Sequence, residues 1–128
     1  MTIEIELQKV TKRFGKEVIA VNQLDLKINK GEVFCLVGPN AAGKTTTIKL
    51  LLGILKADEG NIRVKGLKIP GDKKKLRRIL GYLPQRRALY DLLTARENIE
   101  FFARAKGLSK KKVKEKLISL GFRSDSIE

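Results

Sequence analysis

Gly38-Pro-Asn-Ala-Ala-Gly-Lys44-Thr45 decides how this chain is read. The stretch fits G-x-x-x-x-G-K-[ST] without a gap, the spacing of a loop that cradles phosphate. Its context agrees with that reading. Val33 to Val37 before it form a short apolar run, as expected of a buried parallel strand. After it, Ile48, Leu51, Leu52 and Leu55 recur at i, i+3, i+4 and i+7, one face of a helix.

The residue types explain the chemistry. Gly38 and Gly43 let the backbone fold back and bring N–H groups against phosphate oxygens. Pro39, Asn40, Ala41 and Ala42 supply the backbone between them. The following helix N-terminus adds unpaired N–H donors and a dipole suited to an anion. Lys44 is placed to reach the β and γ phosphates, and the Thr45 hydroxyl to sit on Mg2+. Thr46 offers a further hydroxyl at the next phosphate. The simpler alternative, a Gly-rich strand–helix turn with an ordinary Lys-Thr start, does not account for the full spacing.

At 128 residues with 42% hydrophobic content, the chain is at most one modest domain with enough apolar residues for a core. No window approaches ~18 consecutive apolar residues. The N-terminus lacks the basic and apolar regions of a secretory signal, so the expected compartment is cytoplasmic. The single cysteine, Cys35, is expected in the core of its strand. Net charge is +14 and unevenly spread: residues 1–62 hold 9 basic and 7 acidic residues, residues 63–116 hold 18 and 5. An anionic partner, lipid headgroups or nucleic acid, is one reading of that excess. A solvated Lys/Arg surface is the other, and the one preferred on sequence alone.

Outside the loop the pattern gives a series of elements. Ile3, Ile5 and Leu7 alternate with Glu4, Glu6 and Gln8, predicting a half-buried strand. Val10 to Lys16 reads as a turn, then Val18 to Val21 and Leu24 to Ile28 as two strand segments. Asn61 to Val64 with Gly66 reads as a short hairpin, and Asp72 to Leu80 as a short basic helix. Gly81 to Gln85 predicts a strand ending in an exposed glutamine, whose amide can hold water or a metal-ligand position. Thr94 with Glu97 is a capping box opening a helix that stops at Gly107. Ser109 caps a second helix, which Gly121 ends.

Taken in order, Phe14 in Thr-Lys-Arg-Phe-Gly, the loop to Thr46, Gly60-Asn-Ile-Arg-Val-Lys-Gly66, Gly81-Tyr-Leu-Pro-Gln85 and Leu93-Thr-Ala-Arg-Glu-Asn98 have the spacing of one family. The chain resembles the nucleotide-binding domain of an ATP-binding cassette (ABC) transporter. Leu89-Tyr-Asp-Leu-Leu-Thr94 and Glu97-Asn-Ile-Glu-Phe-Phe-Ala103 resemble its export-type subgroup, and the likeness covers nearly the whole chain. It implies an α/β fold: a P-loop NTPase (RecA-like) core, incomplete, with an N-terminal antiparallel β subdomain and the start of a helical subdomain. Residues 1–90 would be the β subdomain and P-loop portion, and 91–128 the start of the helical one.

The resemblance also assigns roles. Phe14 matches the aromatic residue that stacks on adenine, and Gly38 to Thr45 the phosphate loop. Gln85 matches the glutamine that touches Mg2+ and the attacking water and moves with the transmembrane partner. ATP and Mg2+ are the implied cofactors. The implied partners are a permease subunit, met by the residues after Gln85, and a second nucleotide-binding domain in a head-to-tail dimer. The implied place is the inner face of the cell membrane, with the protein peripheral and cytoplasmic; nucleic acid is not an expected partner.

Some residues depart from the family pattern. Ala41 stands where glycine is common, and is strained there if the peptide needs a positive φ. Arg86-Arg87 stand where exporter relatives carry an acidic and then a less basic residue, which bears on the coupling surface. Asp58-Glu59 lacks the preceding apolar strand of a catalytic Asp-Glu pair and reads as a solvated turn. The sequence holds no Leu-Ser-Gly-Gly-Gln signature, no apolar strand ending in Asp-Glu and no histidine. The expectation is therefore a chain that grips nucleotide but does not hydrolyse ATP alone, with open strand edges that favour association. The alternative is a nucleotide-dependent, non-catalytic module that binds nucleic acid or an anionic membrane surface through residues 63–116.

Overall fold

A computed structural model describes residues 2–85 and 89–121. They fall into two compact units, residues 1–81 and 82–128.

The first unit is built on a long hairpin, β1 (Ile3–Phe14) and β2 (Val18–Asn29), turned at Gly15 with φ 63°. The expected turn over Val10–Phe14 is strand instead. Its alternation is broken by bulges, with Lys9 at φ 49° and Gln23 at φ 43°. A bulge inserts an unpaired residue and rephases the faces, so Leu7 and Val10, three residues apart, are both buried. Asp25 holds the first bulge by accepting from the Lys9 N–H at 2.9 Å and from its ammonium. Buried Thr11 holds the second by accepting from the Gln23 N–H at 3.1 Å.

Strand β3 (Glu59–Val64) pairs antiparallel with β1, and β4 (Leu67–Ile69) pairs with β3, giving the order β2-β1-β3-β4. Lys65 and Gly66 both have positive φ, the two-residue I′ connection that matches strand twist. Helices α1 (Lys44–Leu51) and α2 (Lys73–Ile79) bring Leu50 and Leu76 into one cluster with Leu7, Val10, Ile62 and Val64. Asp58, which leads into β3, accepts from the Arg13 N–H at 2.6 Å and the Lys12 ammonium at 2.9 Å. Those two bonds, the backbone one first, hold its carboxyl below the usual aspartate value. It is a structural clasp on β1.

Two expected strands are not formed. Residues 33–37 are unpaired, with Val33 96% and Val37 85% exposed and Cys35 on the surface rather than in a core. Residues 81–85 are likewise without strand structure. An apolar run becomes a strand only where a neighbour takes its backbone hydrogen bonds, and among the described residues none lies beside either segment. The described sheet is wholly antiparallel. Helix α1 is also shorter than its apolar period suggested: it buries Thr47 and Leu50, while Ile48 is exposed and Leu55 lies beyond its end.

The second unit packs α3 (Ala95–Ala105) against α4 (Lys110–Ser119). The capping box forms as read: Thr94 accepts from the Glu97 N–H at 3.3 Å, and Glu97 accepts from the Thr94 N–H at 2.8 Å. Glu100 gathers Arg96, Arg104 and Lys110, tying the helices together. Buried Asn98 is the anchor of the preceding loop. Its amide donates to the carbonyls of Tyr90, Leu93 and Thr94 at 3.0–3.1 Å, and its oxygen accepts from the Tyr90 N–H at 2.8 Å. Tyr90, Phe101 and Phe102 form an aromatic group with centroids 5.0–6.3 Å apart, edge-to-face except for the stacked Tyr90–Phe102 pair. Replacing Asn98 with Ala orphans these groups and is expected to cost about 2 kcal/mol. Denaturant unfolding of the variant checks it, and an unchanged midpoint would contradict it.

Candidate functional site

Within the first unit, the loop from Gly38 to Thr46 is set by backbone geometry. The Ala42 N–H donates to the Pro39 carbonyl at 3.3 Å, and Ala41 has φ 65°. Asn40 is not among the positive-φ residues, so Pro39–Ala42 is a type II turn whose third position demands the left-handed region. Ala41 occupies the position that glycine would fill without strain. Gly43 follows at φ 81° and forms the N-cap of α1. A β-carbon there would lie 2.1 Å from the Ala20 carbonyl oxygen of β2. Only glycine lets the loop seat against the strand.

That seat leaves the start of α1 open. The first helical bond runs from the Thr47 N–H to the Gly43 carbonyl at 2.8 Å, and no side chain caps the helix. The amides of Lys44, Thr45 and Thr46 therefore have no acceptor among the described residues, as helix geometry requires of an uncapped first turn. The Lys44 ammonium crosses the loop and donates to the Gly38 and Pro39 carbonyls at 2.5 Å each. Thr45 is exposed, while the buried Thr47 hydroxyl donates back to the Gly43 carbonyl at 3.0 Å. Three free amides, a dipole end and one lysine in a small concave loop make a donor set suited to a polyphosphate. Below the loop, a cavity of about 210 Å3 opens between β2 and the 36–37 backbone, with Asn22 and Lys44 in its lining.

Phe14 lies in the same unit. It is the last residue of β1, opposite Val18, with its ring 44% exposed. Ala20, the residue that abuts Gly43, is two positions further along β2, about 7 Å of strand. The hairpin thus carries both the exposed aromatic and the support of the loop. The Lys12 ammonium lies 5.7 Å from the Phe14 ring centroid while pairing with Asp58, which helps hold the ring. Gln85 falls in the second unit, exposed at a bend. Arg86 and Arg87 lie outside the described residues. Among the described residues, no group of three or more His, Cys, Asp or Glu side chains could hold a metal ion, and no helix is long and apolar enough to cross a membrane.

Sequence reasoning missed three supports of the site. They are the Ala20 carbonyl, the buried Thr47 hydroxyl and the Lys12–Asp58 clasp. The first left no sign in the residue types, because Gly43 closes on the backbone carbonyl of Ala20 rather than on its side chain.

This fold and loop define a nucleotide-binding cassette, and comparison with known proteins gives the family. The family model described as "ABC transporter" matches residues 21–127, and the chain belongs to that family. It is 45% identical over 98 residues to YxlF, an ABC transporter ATP-binding protein of Bacillus subtilis, covering 77% of this chain and 32% of that one. It is 42% identical over 113 residues to the Nod factor export ATP-binding protein I of Sinorhizobium fredii, covering 88% and 33%. Among solved structures, it matches a dimeric post-hydrolysis ATP-binding cassette bound to ADP and Pi. That match has a TM-score of 0.74 and 28% identity, over 90% of this chain and 54% of that one. The chain thus spans about a third of these curated relatives and about half of the solved cassette.

Ala41→Gly removes a left-handed alanine, worth about 1–2 kcal/mol, against a smaller gain in unfolded-chain entropy. The expected net is a stabilisation of about 0.5 kcal/mol. Gly43→Ala collides with β2 and is expected to destabilise by at least about 2 kcal/mol. Thermal melts of the pair check the order, and a neutral Gly43→Ala would contradict the seating described.

Proposed function

We propose that this chain is the phosphate-loop side of an ATP-binding domain that drives export across a membrane. The observation that carries the reading is the uncapped first turn of α1. Its Lys44, Thr45 and Thr46 amides are unpaired behind a loop bent by Ala41 and Gly43. Gly38 to Thr46 would hold the phosphates of ATP, with Lys44 leaving its own loop carbonyls for phosphate oxygens. Phe14 would stack on adenine, which needs only a flat π face, so phenylalanine suffices. Thr45 and Gln85 would supply neutral oxygens to Mg2+, an ion that keeps most of its shell as water and substrate phosphate. MgATP, when bound, supplies the phosphoryl group whose transfer to water releases free energy.

Water attack in this class needs a residue to orient or deprotonate the nucleophile. Gln85 can orient; no apolar strand ending in Asp-Glu stands in the 128 residues to provide a base. The remaining groups would come from a second cassette facing this loop head to tail, and from segments beyond those matched here. The dimeric state of the solved relative supports a second cassette, and the relative named for Nod factor export supports the direction of transport. Residues following Gln85, with the α3–α4 unit as the start of a helical subdomain, would meet a permease at the inner face of the membrane.

Titration calorimetry with MgATP tests the reading. Lys44→Ala is expected to abolish measurable binding, and Phe14→Ala to weaken it about tenfold, the lower end of one lost stack. Phe14→Tyr should retain it. The chain alone should not turn over ATP. Lys44-dependent turnover, or unchanged affinity in Lys44→Ala, would contradict the proposal.

A further inference from the structure

The densest positive charge lies away from the phosphate loop. Residues 61–81 hold eight lysines and arginines against one acid, Asp72. That acid is engaged within its own turn. It accepts from the Lys68 N–H at 3.1 Å and pairs with Lys75 at 3.3 Å, and the first of these bonds chiefly lowers its pKa. Lys68, Lys73, Lys74 and Arg78 are exposed and have no ion pair among the described residues.

Helix α2 carries this charge against its own interest. Its first turn holds three lysines and no acid, opposed to the helix dipole. Lys73 and Arg77, and Lys74 and Arg78, repel at i, i+4. Only Leu76, 1% exposed, anchors it in the core. On its outer side Lys74 and Arg78 stand one turn apart, and Ile79, 50% exposed, lies one residue round from Arg78. Lys68 of edge strand β4 lies opposite Arg63, on the sheet face away from Ile62, Val64 and the core, and is not part of this side. Residues 61–81 contain no aromatic side chain, so the surface has no platform for stacking bases.

We propose that the outer face of α2 docks on an anionic lipid bilayer. The cations meet headgroup oxygens, which relieves the repulsion along the helix, and Ile79 enters the headgroup–acyl boundary. Lysines on flexible stems suit a fluid array of headgroups better than a fixed groove. The contact is additional to attachment through a permease and does not depend on the phosphate loop.

The chain has no tryptophan, so Ile79→Trp installs a single reporter that keeps every charge. With vesicles containing phosphatidylserine its emission is expected to shift blue and to be quenched by brominated acyl chains. Phosphatidylcholine vesicles alone should leave it unchanged. In co-sedimentation, the triple variant Lys74→Gln, Lys75→Gln, Arg78→Gln, three exposed neighbours on one arc of α2, should bind about a hundredfold more weakly, roughly fivefold per charge. A charge-matched triple on α4, Lys111→Gln, Lys112→Gln, Lys116→Gln, should lose less than about tenfold. Equal losses in the two triples would assign binding to net charge and overturn the proposal. Binding to duplex DNA tighter than to the vesicles, with no shift of the reporter, would also overturn it and give the face to nucleic acid.

Discussion

The contact between Gly43 and the Ala20 carbonyl governs the rest of the site. A β-carbon at 2.1 Å from that oxygen is impossible, so the loop can lie on β2 only with glycine at this position. Seating it there fixes Gly43 in the left-handed region and starts α1 at Lys44, with no side-chain cap on its first turn. It also ties the loop to the strand that opens opposite Phe14. The hairpin acts as a ruler along which the exposed Phe14 and the seat of the Gly38–Thr46 loop are spaced. The bulges at Lys9 and Gln23, pinned by Asp25 and Thr11, keep that ruler packed on the core despite its broken alternation.

The sequence was most legible where local chemistry decides structure. The start of α1 after Gly43, the Thr94–Glu97 capping box, the Ser109 cap and the basic helix after Asp72 all stand where their residues point. The consequence drawn for Ala41, strain if its φ is positive, is met at 65°. Legibility failed where a segment depends on a distant partner. Val33 to Val37 has the composition of a central strand, but composition cannot supply the neighbour that would accept its hydrogen bonds, and the segment stays unpaired. The face of α1 was read only in part: Leu51 and Leu55 pack against the core, but Ile48 stays 39% exposed, while Thr47 is buried and bonded to the Gly43 carbonyl. Bulges hid the continuity of β1 through Phe14, because two positive-φ side chains leave no mark in an apolar pattern.

The two ends of the chain use charge differently. Around the hairpin, acids meet cations in local pairs: Asp25 with Lys9, Asp58 with Lys12, Glu59 with Arg13. These pairs are exposed enough that their worth lies in placing backbone rather than in Coulomb energy. Over residues 61–81 the cations outnumber the acids eight to one and most face solvent. A surface that keeps such repulsion suits an external counter-charge, which the proposed lipid contact would supply. The nucleotide and the bilayer would then be met by separate anion-binding surfaces of one small unit.

Amide hydrogen exchange with and without MgATP tests the central claim most directly. The account predicts slowed exchange at the Lys44, Thr45 and Thr46 amides on nucleotide addition, with the α3 and α4 amides unchanged. Exchange at those three amides that is indifferent to saturating MgATP would contradict it.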